Sequence, residues 1–221
     1  MPGRYIFTSS AETVRQWFRP RNEIDLEPRY NIAPTQQVPV LRQTAEGREL
    51  AYMRWGLLPF WLKEMPKGAP VINARSENAA ASPMFRMAMT KRRCLMLADG
   101  FYEWQVVGKE KRPWLFHLKE DGPFAFAAIW EDWTSPEGTK IESCALFTTE
   151  ANGLISPIHE RMPVILPPDH YDAWLSPATP LMKAAEMMMR AFPSAQMQAH
   201  QVGKAVSSVK AAGAELIAPL H

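Results

Sequence analysis

Three stretches of this chain place side chains suited to chemistry near neutral pH. The first is Phe101-Tyr102-Glu103-Trp104, which follows an apolar, β-prone run from Cys94 to Leu97 and a turn or bulge signal at Asp99-Gly100. Alternation along a strand puts Phe101 and Glu103 on one face and Tyr102 and Trp104 on the other. Large rings exclude water on either face, which raises the pKa of a carboxyl group and lets it exchange protons near pH 7. The alternative is an edge-strand glutamate that reaches solvent past its neighbours. The second stretch is Ile158-His159-Glu160-Arg161-Met162-Pro163, where His159 sits in a polar patch between apolar runs. His117, alternating with Leu115, reads instead as a satisfied core or surface histidine. The third is Asn73-Ala74-Arg75-Ser76-Glu77, with an amide, a guanidinium and a carboxylate at i, i+2 and i+4. In an extended segment these three share a face. They could hold a polar ligand, with Arg75 as a fork for phosphate, or form a structural Arg75–Glu77 pair on a solvated face.

Other chemistries lack their residues. There is no G-x-S-x-G elbow, Walker A loop, H-E-x-x-H pair or Cys/His cluster at zinc spacing, so no metal or cofactor is expected. Cys94 and Cys144 lie in apolar strand-like runs and read as buried, reduced thiols. The net charge is only +2, so any nucleic-acid surface has to be local. Arg4, Arg54, Arg86, Lys91, Arg92, Arg93 and Arg161 all fall close to aromatic segments. Cations interleaved with Trp and Phe suit single-stranded nucleic acid, with phosphates on the cations and bases on the rings.

These residues need a scaffold, and the chain reads as one α+β domain over residues 1–221 built on an antiparallel sheet. An apolar run up to Phe7 suggests a first strand tied into that sheet. Ser9-Ser10-Ala11-Glu12 fits a capping box for a helix through Val14, Trp17 and Phe18 that ends before Pro20. Val38 to Arg42 and Arg48 to Trp55 form a hairpin around Ala45-Glu46-Gly47. Trp55 to Trp61 is too aromatic, and too broken by Gly and Pro, for a regular element; it is a buried plug or an exposed stacking platform. Val71 to Glu77 reads as a short strand. Ser82-Pro83 caps a helix through Met84, Phe85 and Ala88, closed by Lys91, Arg92 and Arg93. Strands follow at Cys94–Leu97, Phe101–Val107, Trp114–Leu118, Phe124–Trp130 and Ile141–Thr149, spaced for antiparallel meanders. Pro168–Leu175 and Thr179–Arg190 read as helices, with Met182 and Met187 to Met189 facing the core, and Gln196–Val202 as a late strand. No signal peptide or membrane-length apolar run is seen, so a cytoplasmic, monomeric protein is expected.

Five segments occur in an order and spacing that resembles a known family. They are Asn31-Ile32-Ala33-Pro34, Arg54-Trp55-Gly56-Leu57-x-Pro59-x-Trp61, Asn73-Ala74-Arg75-Ser76-Glu77, Gly100-Phe101-Tyr102-Glu103-Trp104 and His159-x-Arg161-Met162-Pro163. Together they look like the SOS-response-associated peptidase (SRAP) family of abasic-site processing proteins, from Gly3 to about Glu215. The resemblance implies a single α+β domain with a bent, mainly antiparallel sheet approaching a barrel, with flanking helices. It implies a partner too: single-stranded DNA carrying an abasic site or a 3′ junction, which becomes linked covalently to the protein. In the family a cysteine at residue 2, exposed when Met1 is removed by self-cleavage, closes a thiazolidine with the sugar aldehyde. By motif position Asn73 orients the sugar or the terminal amine, Glu103 moves protons, and His159 assists ring opening. Arg4, Arg75 and Arg161 hold phosphates, and Pro59, Phe60 and Trp61 wedge beside the lesion. Asn31, Pro34 and Arg86 complete the DNA-binding set.

The departure is at residue 2, which is Pro2. A thiazolidine needs a thiol, so the family's stable crosslink is not expected from this chain. One alternative is chemistry by Pro2 itself: with Met1 gone, its secondary amine attacks an aldehyde, forms an iminium ion and favours β-elimination, a lyase outcome. Another is a peptidase-type hydrolase using Glu103 and His159. A scaffold that binds no DNA would leave the arginine and tryptophan placement unexplained.

Overall fold

A computed structural model describes residues 2–220. The chain opens with strand β1 (Tyr5–Phe7), helix α1 (Ala11–Phe18), β2 (Arg29–Ile32), β3 (Gln37–Thr44), β4 (Gly47–Trp55) and β5 (Asn73–Arg75). Two short helices, α2 (Ser76–Ala79) and α3 (Arg86–Lys91), precede β6 (Arg93–Ala98), β7 (Gly100–Val107), β8 (Glu110–Leu118), β9 (Phe124–Thr134) and β10 (Lys140–Glu150). Then come β11 (Arg161–Pro163), β12 (Ile165–Leu166), α4 (Tyr171–Leu175), α5 (Leu181–Met187) and β13 (Met197–Gln201).

Strands β4, β3, β6, β9 and β10 pair in that order, and β10 pairs back onto β4. The bent sheet is therefore a closed five-stranded barrel, which leaves no exposed ladder among those strands. All six residues of β6 are buried, Arg93 to Ala98; five are apolar, and Arg93 donates to the Trp174, Met89 and Ser176 carbonyls. The closing pair runs parallel, with Ser143 opposite Arg54 and Cys144 opposite Trp55, and β5 also lies parallel to β10. Antiparallel pairing thus holds between neighbours in sequence and fails at these two contacts. Their strands come from distant parts of the chain, where no turn signal announces the pairing. Cys94 and Cys144 are buried free thiols.

A second sheet, in the order β13-β8-β7-β1-β2, covers the barrel. Its strands alternate as strand geometry requires. Phe101 and Phe116 stack toward the barrel core, 5.3 Å between ring centroids, while Ile6, Tyr102 and Leu115 face outward beneath Val202, Val206 and Leu216. The C-terminal segment after β13 is thus a strap over the outer face.

Local chemistry shifts two helix starts, and packing leaves two of the methionines outside. Helix α1 is capped by Ser10, whose hydroxyl accepts from Thr13 N–H at 3.2 Å, because Ser9 gives its N–H and hydroxyl to Asp99 at 2.9 and 2.6 Å. The Ser9–Glu12 box does not form. Ser82-Pro83 makes a turn closed by Phe85 N–H on the Ser82 carbonyl at 3.1 Å, so the helix starts at Arg86 rather than after Pro83. Of the methionines expected in the core, Met188 is buried, whereas Met182 and Met189 are 66% and 52% exposed. Helix α5 packs on α2 and α4 and buries Ala184, which leaves Met182 outside.

Candidate active site and nucleic-acid interface

The pairing of β1 with β7 sets the site. Tyr5 lies opposite Phe101, and Tyr102 N–H donates to the Arg4 carbonyl at 3.0 Å. The residues before Tyr5 therefore run back along β7 toward Glu103. Pro2 is buried, and its carbonyl accepts a hydrogen bond from Asn73 Nδ2 at 2.9 Å. Asn73 is delivered by β5, whose parallel pairing puts it opposite Leu146 on the barrel. Its Oδ1 is buried and has no hydrogen-bond partner among the described residues. Met1, whose removal the resemblance implies, lies outside the described residues.

Glu103 is 3% exposed. Burial pushes its carboxyl above the ordinary carboxylate range, and the nearby His159 acts in the opposite direction. The edge-strand alternative is ruled out by that burial. His159 is half-buried, and its Nδ1 accepts from Arg161 N–H at 2.9 Å. The same nitrogen lies 3.2 Å from the Arg161 carbonyl, so the backbone of Arg161 orients the ring. A buried carboxyl whose pKa is raised, with an imidazole nearby, is a candidate acid–base pair.

Arg75 and Glu77 do not form a row with Asn73, because Ser76 starts α2 and turns Glu77 away. Glu77 pairs with Arg161 instead, through both guanidinium ends, with Arg161 Nη2 at 2.9 Å from Oε2. Arg161 Nη2 also reaches the Thr148 carbonyl at 2.6 Å, and the side chain is buried. That pairing holds the Glu77 carboxyl below its usual range. Arg75 and Arg86 are exposed. Arg4 donates to Asn31 Oδ1 and the Val206 carbonyl, both at 2.8 Å, while Asn31 Nδ2 donates to the Ser208 and Ala211 carbonyls at 2.9 Å. Arg4 and Asn31 are thus bound up with the C-terminal strap.

Pro34 precedes Thr35, a β-branched residue held at φ 71°, whose N–H donates to the Trp55 carbonyl at 2.7 Å. This pins the turn against the end of β4. The aromatic segment after β4 divides in two. Trp55, Leu57, Leu58 and Pro59 are buried as a plug, whereas Phe60 and Trp61 are 54% and 53% exposed. Leu58 N–H on Ser143 Oγ at 2.8 Å and Trp133 Nε1 on the Leu62 carbonyl at 2.7 Å fix the segment on either side of those rings. Arg92 lies over Phe60, 5.8 Å from the ring centroid, and pairs with Glu131 at 2.7 Å.

The chain matches, over residues 1–209, the family model described as SOS response associated peptidase (SRAP). The chain belongs to the SRAP family. Among relatives, the abasic site processing protein YoqW of Bacillus subtilis is 35% identical over 98% of this chain and 99% of its own. YedK of Escherichia coli, with the same description, is 34% identical over 89% and 87%, and HMCES of Gallus gallus 30% over 93% and 69%. A crystal structure of a Bacteroides thetaiotaomicron protein superposes with a TM-score of 0.88 at 22% identity over 99% of both chains. A phage-related protein from Bordetella bronchiseptica gives 0.77 at 27% identity, over 94% and 98%.

Sequence reasoning did not single out Trp114, which stands opposite Glu103, or the strap carbonyls that hold Arg4 and Asn31. Those carbonyls lie 177–203 residues along the chain from their donors, and backbone acceptors leave no side-chain signature. Trp114 was recoverable, since a hairpin through Val107-Gly108-Lys109 fixes its register against Glu103.

Proposed function

We propose that this SRAP chain recognises abasic sites in single-stranded or junction DNA, with residue 2 at the reacting position. The observation that carries this reading is the hydrogen bond from Asn73 Nδ2 to the Pro2 carbonyl on the strand path that leads to buried Glu103. The backbone of residue 2 is held where the acid–base pair can serve it. Relatives described as abasic site processing proteins span almost the whole chain, which supports the substrate class. Exposed Arg75 and Arg86 supply phosphate contacts, and Phe60 and Trp61 supply a stacking edge.

With Pro2 the chemistry changes kind. Once Met1 is removed, the Pro2 secondary amine adds to the C1 aldehyde of the open sugar; with one proton taken up, water leaves and an iminium ion remains. Loss of the C2 proton to a base then breaks the C3–O bond and expels the 3′ phosphate. Glu103 is the group that takes that proton, and His159 assists opening of the sugar ring. The peptide-hydrolase alternative has less support, because Cys94 and Cys144 are buried and burial pushes both thiols up.

Borohydride trapping tests this. Protein confirmed by mass to lack Met1 is expected to be trapped on an abasic single strand only when reductant is present, and to nick the strand without it. Absence of both trapped species and nicking, with wild-type binding intact, would remove the Pro2 chemistry.

A further inference from the structure

Trp114 stands directly opposite Glu103 in the antiparallel β7–β8 ladder. Opposed residues project from one face with Cβ atoms about 5 Å apart. The indole therefore flanks the Glu103 carboxyl on the side where Phe101 stacks on Phe116. Trp114 is half-buried and packs against the main core, yet its Nε1 is buried and lacks a hydrogen-bond partner among the described residues. Four other tryptophans are satisfied. Trp55, Trp104, Trp133 and Trp174 donate to Ile72 O, Ser207 Oγ, Leu62 O and Cys94 O, at 2.7–3.0 Å. A buried N–H left without an acceptor costs stability, and native proteins keep few of them. One that sits beside a buried acid in a candidate site is explained by an acceptor that arrives with the ligand. Asn73 Oδ1, on the side chain that holds the Pro2 carbonyl, is a second buried atom with no hydrogen-bond partner among the described residues, and it can only accept. A donor-only indole and an acceptor-only amide oxygen together match a hydroxylated ligand.

We infer that Trp114 is a specificity-determining ligand contact, its indole N–H donating to an oxygen of the abasic sugar bound beside Glu103. This rests on the abasic-DNA reading above. The phosphates and bases are held elsewhere, so Trp114 governs preference for the lesion rather than affinity for DNA.

The test uses the full chain and three single strands of one sequence: intact, with a borohydride-reduced abasic residue that keeps its hydroxyls, and with a three-carbon spacer that lacks them. Anisotropy titrations of wild type should show about tenfold tighter binding of the reduced abasic strand than of the spacer strand. Trp114→Phe, which keeps the ring and removes the N–H, should bind the spacer strand like wild type and lose most of that preference, with an unchanged melting temperature. A second readout covers any packing change in the variant. The wild-type indole 1H–15N resonance that is missing from Trp114→Phe should move downfield on saturation with the reduced abasic strand and stay in place with the spacer. If Trp114→Phe keeps the full preference, loses affinity equally for both strands, or the resonance does not move, the inference is overturned. The abasic reading survives that result provided wild type still prefers the abasic strand to the intact one. If wild type shows no such preference, both fall.

Discussion

Glu103 carries a stability consequence as well as a chemical one. Its folded pKa is raised by burial, so the folded protein keeps a proton that the unfolded chain releases above about pH 4.3. The native state binds more protons in that window, and stability therefore falls as pH rises through it. Glu103→Gln removes this slope. Relative to wild type, the variant should gain stability as pH rises from the unfolded carboxylate pKa toward the raised folded one, read by thermal melts; a constant offset across that window would contradict a buried, proton-holding carboxyl. The Arg161–Glu77 pair has the opposite sign. Glu77 is held low, so its contribution is present above the unfolded carboxylate pKa and lost as pH falls through the folded one. Arg161→Ala should destabilise the fold, by less than the about 3–5 kcal/mol of a fully buried pair because Glu77 is partly exposed. Arg75→Ala, on an exposed residue, should leave the melting temperature alone and weaken DNA binding by about 1.5–3 kcal/mol. Glu103 was legible because its screening rings are its neighbours in sequence. The partner of Arg161 was not, since Glu77 reaches it only after Ser76 turns the chain into a helix.

At the scale of elements, the segment after β4 shows how a plug and a platform can share one stretch. Trp55 to Pro59 fill the barrel end, and the anchors at Ser143 and Trp133 hold Phe60 and Trp61 outward. Phe60→Ala and Trp61→Ala should therefore leave melting unchanged and each weaken single-stranded DNA binding by about 1–3 kcal/mol, the usual worth of a base stacked on a ring. Melting points that fall together with affinity would assign those rings to the fold. The sequential strands were readable from alternation and turn residues. The parallel seam of β10 with β4 and β5 was not: it joins segments nearly ninety and seventy residues apart, and a parallel neighbour changes no local pattern. That seam positions Asn73, so the residue was readable and its placement was not.

The molecule as a whole has a net charge of +2, so the proposed DNA binding calls for a local face rather than a general field. If two to four phosphates are held, the logarithm of affinity for a single strand should fall against the logarithm of salt with a slope of about −1.5 to −3. A slope near zero would remove the proposed face. The barrel, through Asn73 on β5, and the second sheet, through β1, meet at the backbone of residue 2, where this chain carries proline. The most direct measurement is a denaturing gel of Pro2→Cys protein, confirmed by mass to have lost Met1, after incubation with an abasic single strand. With Asn73, Glu103 and His159 in the roles proposed above, the predicted result is a heat-stable adduct that needs no reductant and is absent with wild type. A Met1-free Pro2→Cys protein that binds the strand and forms no adduct would contradict the claim that the site is built around residue 2.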